Sequence, residues 1–146
     1  MKTNTFNIKQ FIRITLITSI WINISEVFRY FIFVMPAVKS FFAGREGIAE
    51  MDLPIFSIWG VWDTLLTALL VFVTWLYANV FGSHTRSIIG SGTIVWLSVF
   101  VIFWVATANM GLSSWTILLI ALPLSWIEMV VGAWIASRLY TQWSRE

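Results

Sequence analysis

The chain has no cysteine, one histidine and three prolines among 146 residues, and only 11% of its residues are charged. Without cysteine there is no thiol nucleophile, no disulfide framework and no thiolate metal site. A single histidine cannot build a haem pair, a histidine-rich metal site or a Ser-His-Asp arrangement within one chain. Phosphate-cradling runs of the G-x-x-x-x-G-K-S/T or G-x-G-x-x-G kind are also lacking, so nucleotide-driven work would need a partner. No metal and no cofactor is expected. The few basic residues are scattered, which argues against nucleic acid as a partner.

The shortage of charge sets the fold class. A soluble domain carries about a quarter of its residues as charges, whereas this chain is 59% apolar with ten Trp and twelve Phe and a mean hydropathy of +0.85. Such a composition belongs in a bilayer. Residues 14–38, 55–81, 88–110 and 115–139 each reach the roughly 20 mainly apolar residues that a spanning helix needs. The connectors at 82–87 and 111–114 are short enough to force antiparallel neighbours. The expected architecture is therefore all-α: a single domain over residues 1–146, folded as an antiparallel bundle of four membrane helices.

Orientation is expected from the basic residues, which are enriched on the cytoplasmic side. Lys2, Lys9, Arg13, Arg86, Arg138 and Arg145 fall at the end of the bundle that holds both termini, and only Lys39 and Arg45 fall at the other, beside three acids. Both termini are thus expected in the cytoplasm. The basic N-terminus followed by an apolar run resembles a secretory signal, but Glu26 and Arg29 follow Trp21 with no small-x-small cleavage site. It reads as an uncleaved first helix. The sequon Asn23-Ile24-Ser25 lies at membrane depth, out of reach of a modifying enzyme, and reads as chance. Trp62-Asp63 and Trp126-Ile127-Glu128 are faintly alike, yet the first and third spans do not match, so an internal repeat has little support. The connector 39–54, with Phe41, Phe42, Ile48, Met51 and Leu53 among Arg45, Glu46, Glu50 and Asp52, is expected to form an interfacial hairpin; a short amphipathic helix or a cap over a pocket are the other forms open to it.

Four ionisable residues lie inside the predicted spans: Glu26 and Arg29 in the first, Asp63 in the second and Glu128 in the fourth. Each costs a few kcal/mol or more at the bilayer centre, so such groups face the bundle interior and are functional candidates. At 1.5 Å per residue, Glu26 lies about 18 Å from the terminal end of its span, while Asp63 and Glu128 lie about 12 and 20 Å from the opposite end of theirs. In a core of about 30 Å those depths are compatible with one shared layer.

Helical periodicity points these groups inward together. Thr15, Ser19, Asn23, Glu26 and Tyr30 fall in an arc of about 80° with Arg29 at its flank, and Gly60, Asp63, Thr67 and Thr74 fall in about 60°. Ala121, Ser125, Glu128, Gly132 and Ala136 fall in about 80° on the fourth span. Thr93, Trp96, Phe100, Trp104 and Thr107 share a face of the third, an expected aromatic wall. Pro123 precedes Glu128 by five residues, and a kink there would open a cavity beside the acid; membrane helices also carry Pro without such consequence.

Three acids against one Arg cannot all be ionised comfortably in a low-dielectric site, so a proton or another cation is expected among them. The expected site comprises Glu26, Asp63 and Glu128 as proton- or cation-binding carboxylates and Arg29 as counter-ion. Asn23, Tyr30, Trp62 and Trp126 are expected to line the pocket. The expected function is binding or transport of a small hydrophobic or cationic molecule within the lipid bilayer by a homo-oligomer. Two other readings stand beside it. The chain could be an accessory subunit of a larger membrane complex, its polar stripe fixing helix register, or a membrane isomerase-like enzyme using the carboxyls for acid–base work.

Overall fold

A computed structural model describes residues 6–45, 47 and 51–143. Lys2, Arg145, Glu46, Ile48 and Glu50, which entered the expectations on orientation and on the connector, lie outside the described residues. Four helices are long and apolar enough to cross a membrane: α1 (Ile8–Phe41), α2 (Leu53–Phe81), α3 (Thr85–Asn109) and α4 (Trp115–Trp143). They form an all-α antiparallel bundle with no strand among the described residues, the pattern of a multi-pass membrane protein.

The helix ends follow from local chemistry. The Asn7 side chain accepts the backbone N–H groups of Lys9 and Gln10 and starts α1 six residues before the apolar run does. Asp52 caps α2 through the Ile55 N–H, with Pro54 in the first turn, where its missing N–H costs nothing. The two tight turns use Gly82 and Gly111, whose φ of +80° and +72° few other residues adopt. Hydropathy alone placed these boundaries up to six residues short, because capped polar ends continue a helix beyond the hydrocarbon.

Two features of the backbone escaped the periodic reading. α1 contains a π-turn at Tyr30–Val34 and α3 a second at Leu97–Val101. The first has a visible cause. It runs up to Pro36, which has no N–H to give to the preceding turn and crowds a carbonyl there. Nothing in the sequence marks the second.

Close packing runs from the middle of the bundle toward the end that carries the termini. In lipid, helices gain nothing by hiding apolar surface from one another, so association rests on close approach and cross-helix hydrogen bonds. Gly92 provides the approach: a Cβ there would lie 2.9 Å from the Val130 Cα and 3.0 Å from the Met129 carbonyl oxygen. Beside it the Thr74 hydroxyl donates to Ser91 Oγ at 3.3 Å. Ile22, Leu70, Val95, Met129 and Ala133 fill the middle, and Ile14, Val71 and Ala136 the termini end. Outside, apolar side chains such as Ile20, Ile58 and Leu119 are more than half exposed to the surroundings, as suits a lipid-facing surface.

Candidate functional site

Arg29 ends the regular part of α1, just ahead of the first π-turn, and is buried at the bundle centre. It pairs with Glu26 one turn back on the same helix, and its Nε lies 3.6 Å from Glu128 Oε2 across on α4. The guanidinium also sits 5.3 Å from the centroid of the Phe100 ring, within the second π-turn. Both interruptions of regular helix therefore border the same guanidinium. π-Turns widen a helix locally and recur at functional sites.

Glu128 is enclosed and held through one carboxylate oxygen and its backbone carbonyl. It is 1% exposed; its Oε2 accepts the Ser25 hydroxyl at 2.9 Å, and its backbone carbonyl accepts the Trp21 indole N–H at 3.1 Å. Its Oε1 accepts no hydrogen bond from the described residues. Asp63, on α2, differs. It is 8% exposed, close enough to Glu26 and Arg29 to feel both charges, and its carboxylate has neither ion pair nor hydrogen bond among the described residues. Its backbone carbonyl accepts the Thr67 hydroxyl at 2.7 Å.

Asp63 lines a cavity of about 790 Å³ between α1, α2 and the second half of α3. Asn23, Glu26, Arg29, Tyr30 and Trp62 line it as well, so six of the eight residues singled out from sequence meet around one space. Asn23 Oδ1 lies beside Gly60 of α2, 3.7 Å from where a Cβ would stand, an ordinary contact distance. The other two do not line it. Glu128 stands behind Arg29, as its ionic partner.

Trp126 is the clearer departure. Its ring lies in a separate, shallow apolar groove of about 600 Å³ with Trp96, Trp115 and Pro123, and its indole N–H donates to Thr93 Oγ1 at 3.0 Å. Two residues along a helix is 200°, so Trp126 and Glu128 point to opposite sides. The hollow beside Pro123 is thus this groove and does not reach Glu128. Trp62, one residue from Asp63, turns only far enough to put a largely exposed ring at the cavity edge.

The aromatic wall of α3 also divides. Phe100, Trp104 and Thr107 face the cavity, while Trp96 turns to α4 and donates to the Leu122 carbonyl at 2.9 Å. The π-turn between them adds to the residues per turn and rotates everything that follows. The inward polar faces of α2 and α4 match their spacing: Asp63, Thr67 and Thr74 are buried on one, and Ala121, Ser125, Glu128, Gly132 and Ala136 on the other. Of the connector, Met51 reaches the cavity. Ser25 is a site residue that periodicity misses, because it lies beside the Glu26 stripe and not within it. Its spacing of four from Arg29 is the signal that would have found it.

Comparison of the chain with models of known protein families, with curated proteins and with solved structures gave no match.

Proposed function

We propose that the protein binds or transports a small molecule or cation within the membrane, as a homo-oligomer with both termini in the cytoplasm. Asp63 and Glu26 are the proton- or cation-binding carboxylates that meet the ligand, Arg29 is their counter-ion, and Glu128 fixes Arg29 from behind, with Asn23, Tyr30 and Trp62 around the ligand. The observation that carries this reading is the division of labour among the charges. One guanidinium is shared by Glu26 and Glu128, and Asp63, the acid with no partner among the described residues, lines a cavity.

A cavity of this volume, apolar with a few placed polar groups, is the usual form of a small-molecule site. An assembly role would call for an acid on the lipid-facing surface, and the burial of Asp63 and Glu128 favours a ligand instead. Native mass spectrometry of protein extracted gently from its own membrane tests the proposal. The expected spectrum is a homo-oligomer with a reproducible small adduct that Asp63→Asn loses. A defined complex with a different protein and no adduct overturns it. Chemical turnover of the adduct by the purified protein would replace binding with acid–base catalysis.

A further inference from the structure

The shape of the cavity names a class of ligand and a way in. Asp63 and Glu26 are acids partway along it, with Met51, Phe56 and Ser113 toward the connector and Leu66 and Leu69 deeper in the bundle. From Asp63 the cavity continues along α2 past Leu65 to Leu69, about 9 Å at the helical rise, toward the bilayer middle. Its flank there consists of Leu65, Leu69 and Phe103, which are 58%, 41% and 51% exposed. Side chains that both line a cavity and face outward at the level of an apolar span form a mouth that opens sideways into lipid. The helices agree with this: the Ile102–Asn109 half of α3 has its close backbone neighbours chiefly on α4, leaving a gap toward α2.

The charge of the site selects what fits. The one guanidinium is already shared by Glu26 and Glu128, and Asp63 is nine-tenths buried with no partner among the described residues, so the open position is one that a cation can take in place of a proton. A bare metal ion would need a shell of oxygen ligands, and no group of three or more metal-binding side chains occurs among the described residues. Phe31, Phe56, Trp59, Phe100 and Trp104 line the cavity instead, and aromatic faces attract ammonium groups. We propose, resting on the ligand-binding reading above, that the cavity takes an amphipathic organic cation that enters sideways from the bilayer between α2 and α3. Its ammonium head sits at Asp63 and Glu26, and its apolar body lies along Leu65, Leu69 and Phe103.

The test uses the full chain in lipid nanodiscs and a fluorescent probe with a naphthyl group, a butyl chain and a dimethylamino head, against the uncharged isostere bearing isopropyl in place of dimethylamino. The amine is expected to bind at least about tenfold more tightly than the isostere, a preference worth roughly one proton-sized charge contact, and Asp63→Asn is expected to erase that preference. Equal binding of the two probes, unchanged by Asp63→Asn, overturns the cationic class. The route is read separately. Because the chain lacks cysteine, Leu69→Cys introduces its only thiol, with Phe103→Cys as a second position should the first not fold. Bound amine is expected to protect that thiol from a lipid-partitioning maleimide. Reaction instead with a charged, water-confined thiol reagent, unaffected by the amine, overturns lateral entry. A native adduct lost in Asp63→Asn, with no preference between the probes, sinks the ligand class alone; no adduct and no probe binding sinks the ligand-binding reading with it.

Discussion

The two halves of this bundle are built from the same apolar alphabet and do different things with it. From the middle toward the termini, small residues bring backbones together: Gly92 lies against Met129 and Val130, and Thr74 bonds Ser91. Toward the connector end, aromatic side chains and two π-turns hold the helices apart around a cavity of about 790 Å³. Arg29 stands at the seam, tied to Glu128 on the packed side and to Glu26 on the open side. The contrast between Glu128 and Asp63 is the same contrast in miniature. One acid is enclosed and paired with Arg29 and Ser25, the other faces the cavity with no pair among the described residues, and a paired buried charge holds structure while an unpaired one can meet a ligand.

The largest effect is expected where the seam is cut. Arg29→Met leaves Glu128 buried without its cation and should cost about 3–5 kcal/mol of bundle stability, measured as reversible unfolding in mixed micelles. Restoring stability with the double change Arg29→Met, Glu128→Met would show that the loss came from the stranded charge. Next comes the packed half: Gly92→Val drives a side chain into backbone that cannot yield and should cost about 1–3 kcal/mol, while Gly132→Ala, which meets the movable end of Leu70 at 2.8 Å, should cost less in the same assay. If Gly132→Ala proves the worse of the two, the packed half is not organised around Gly92.

Smaller changes in stability separate the halves further. Asp63→Asn removes a buried charge that no side chain among the described residues balances directly, so stability should hold or rise slightly, with ligand binding lost. Trp126→Phe removes one cross-helix hydrogen bond remote from the cavity and should cost about 0.6 kcal/mol, with binding unchanged. A binding defect in Trp126→Phe would mean that the groove beside Pro123 communicates with the cavity.

Much of this arrangement is legible in the residues themselves. Span count, antiparallel order and the inward faces of α2 and α4 follow from hydropathy and a period of 3.6, since Asp63, Thr67 and Thr74 keep one register along an unbroken helix. The period fails where the helix does. The π-turn at Leu97–Val101 splits Trp96 from Phe100, and no residue type announces it, whereas Pro36 gives at least a reason for the turn that precedes it. Neighbours in sequence also mislead on a helix: Trp126 lies close to Glu128 along the chain and on the other side of α4 in space. Ser25 and Trp21 bond to Glu128 only because α1 and α4 meet, a pairing that four antiparallel helices do not dictate.

The central claim is that Asp63 serves a ligand while Arg29 and Glu128 serve the fold. Collisional unfolding of the native complex in the mass spectrometer, comparing the parent with Asp63→Asn from the same membrane, reads both properties in one experiment. The account predicts that the variant loses the small adduct and unfolds at a collision energy no lower than that of the adduct-free parent. An adduct retained by a variant that unfolds markedly earlier would contradict it, and would make Asp63 part of the scaffold.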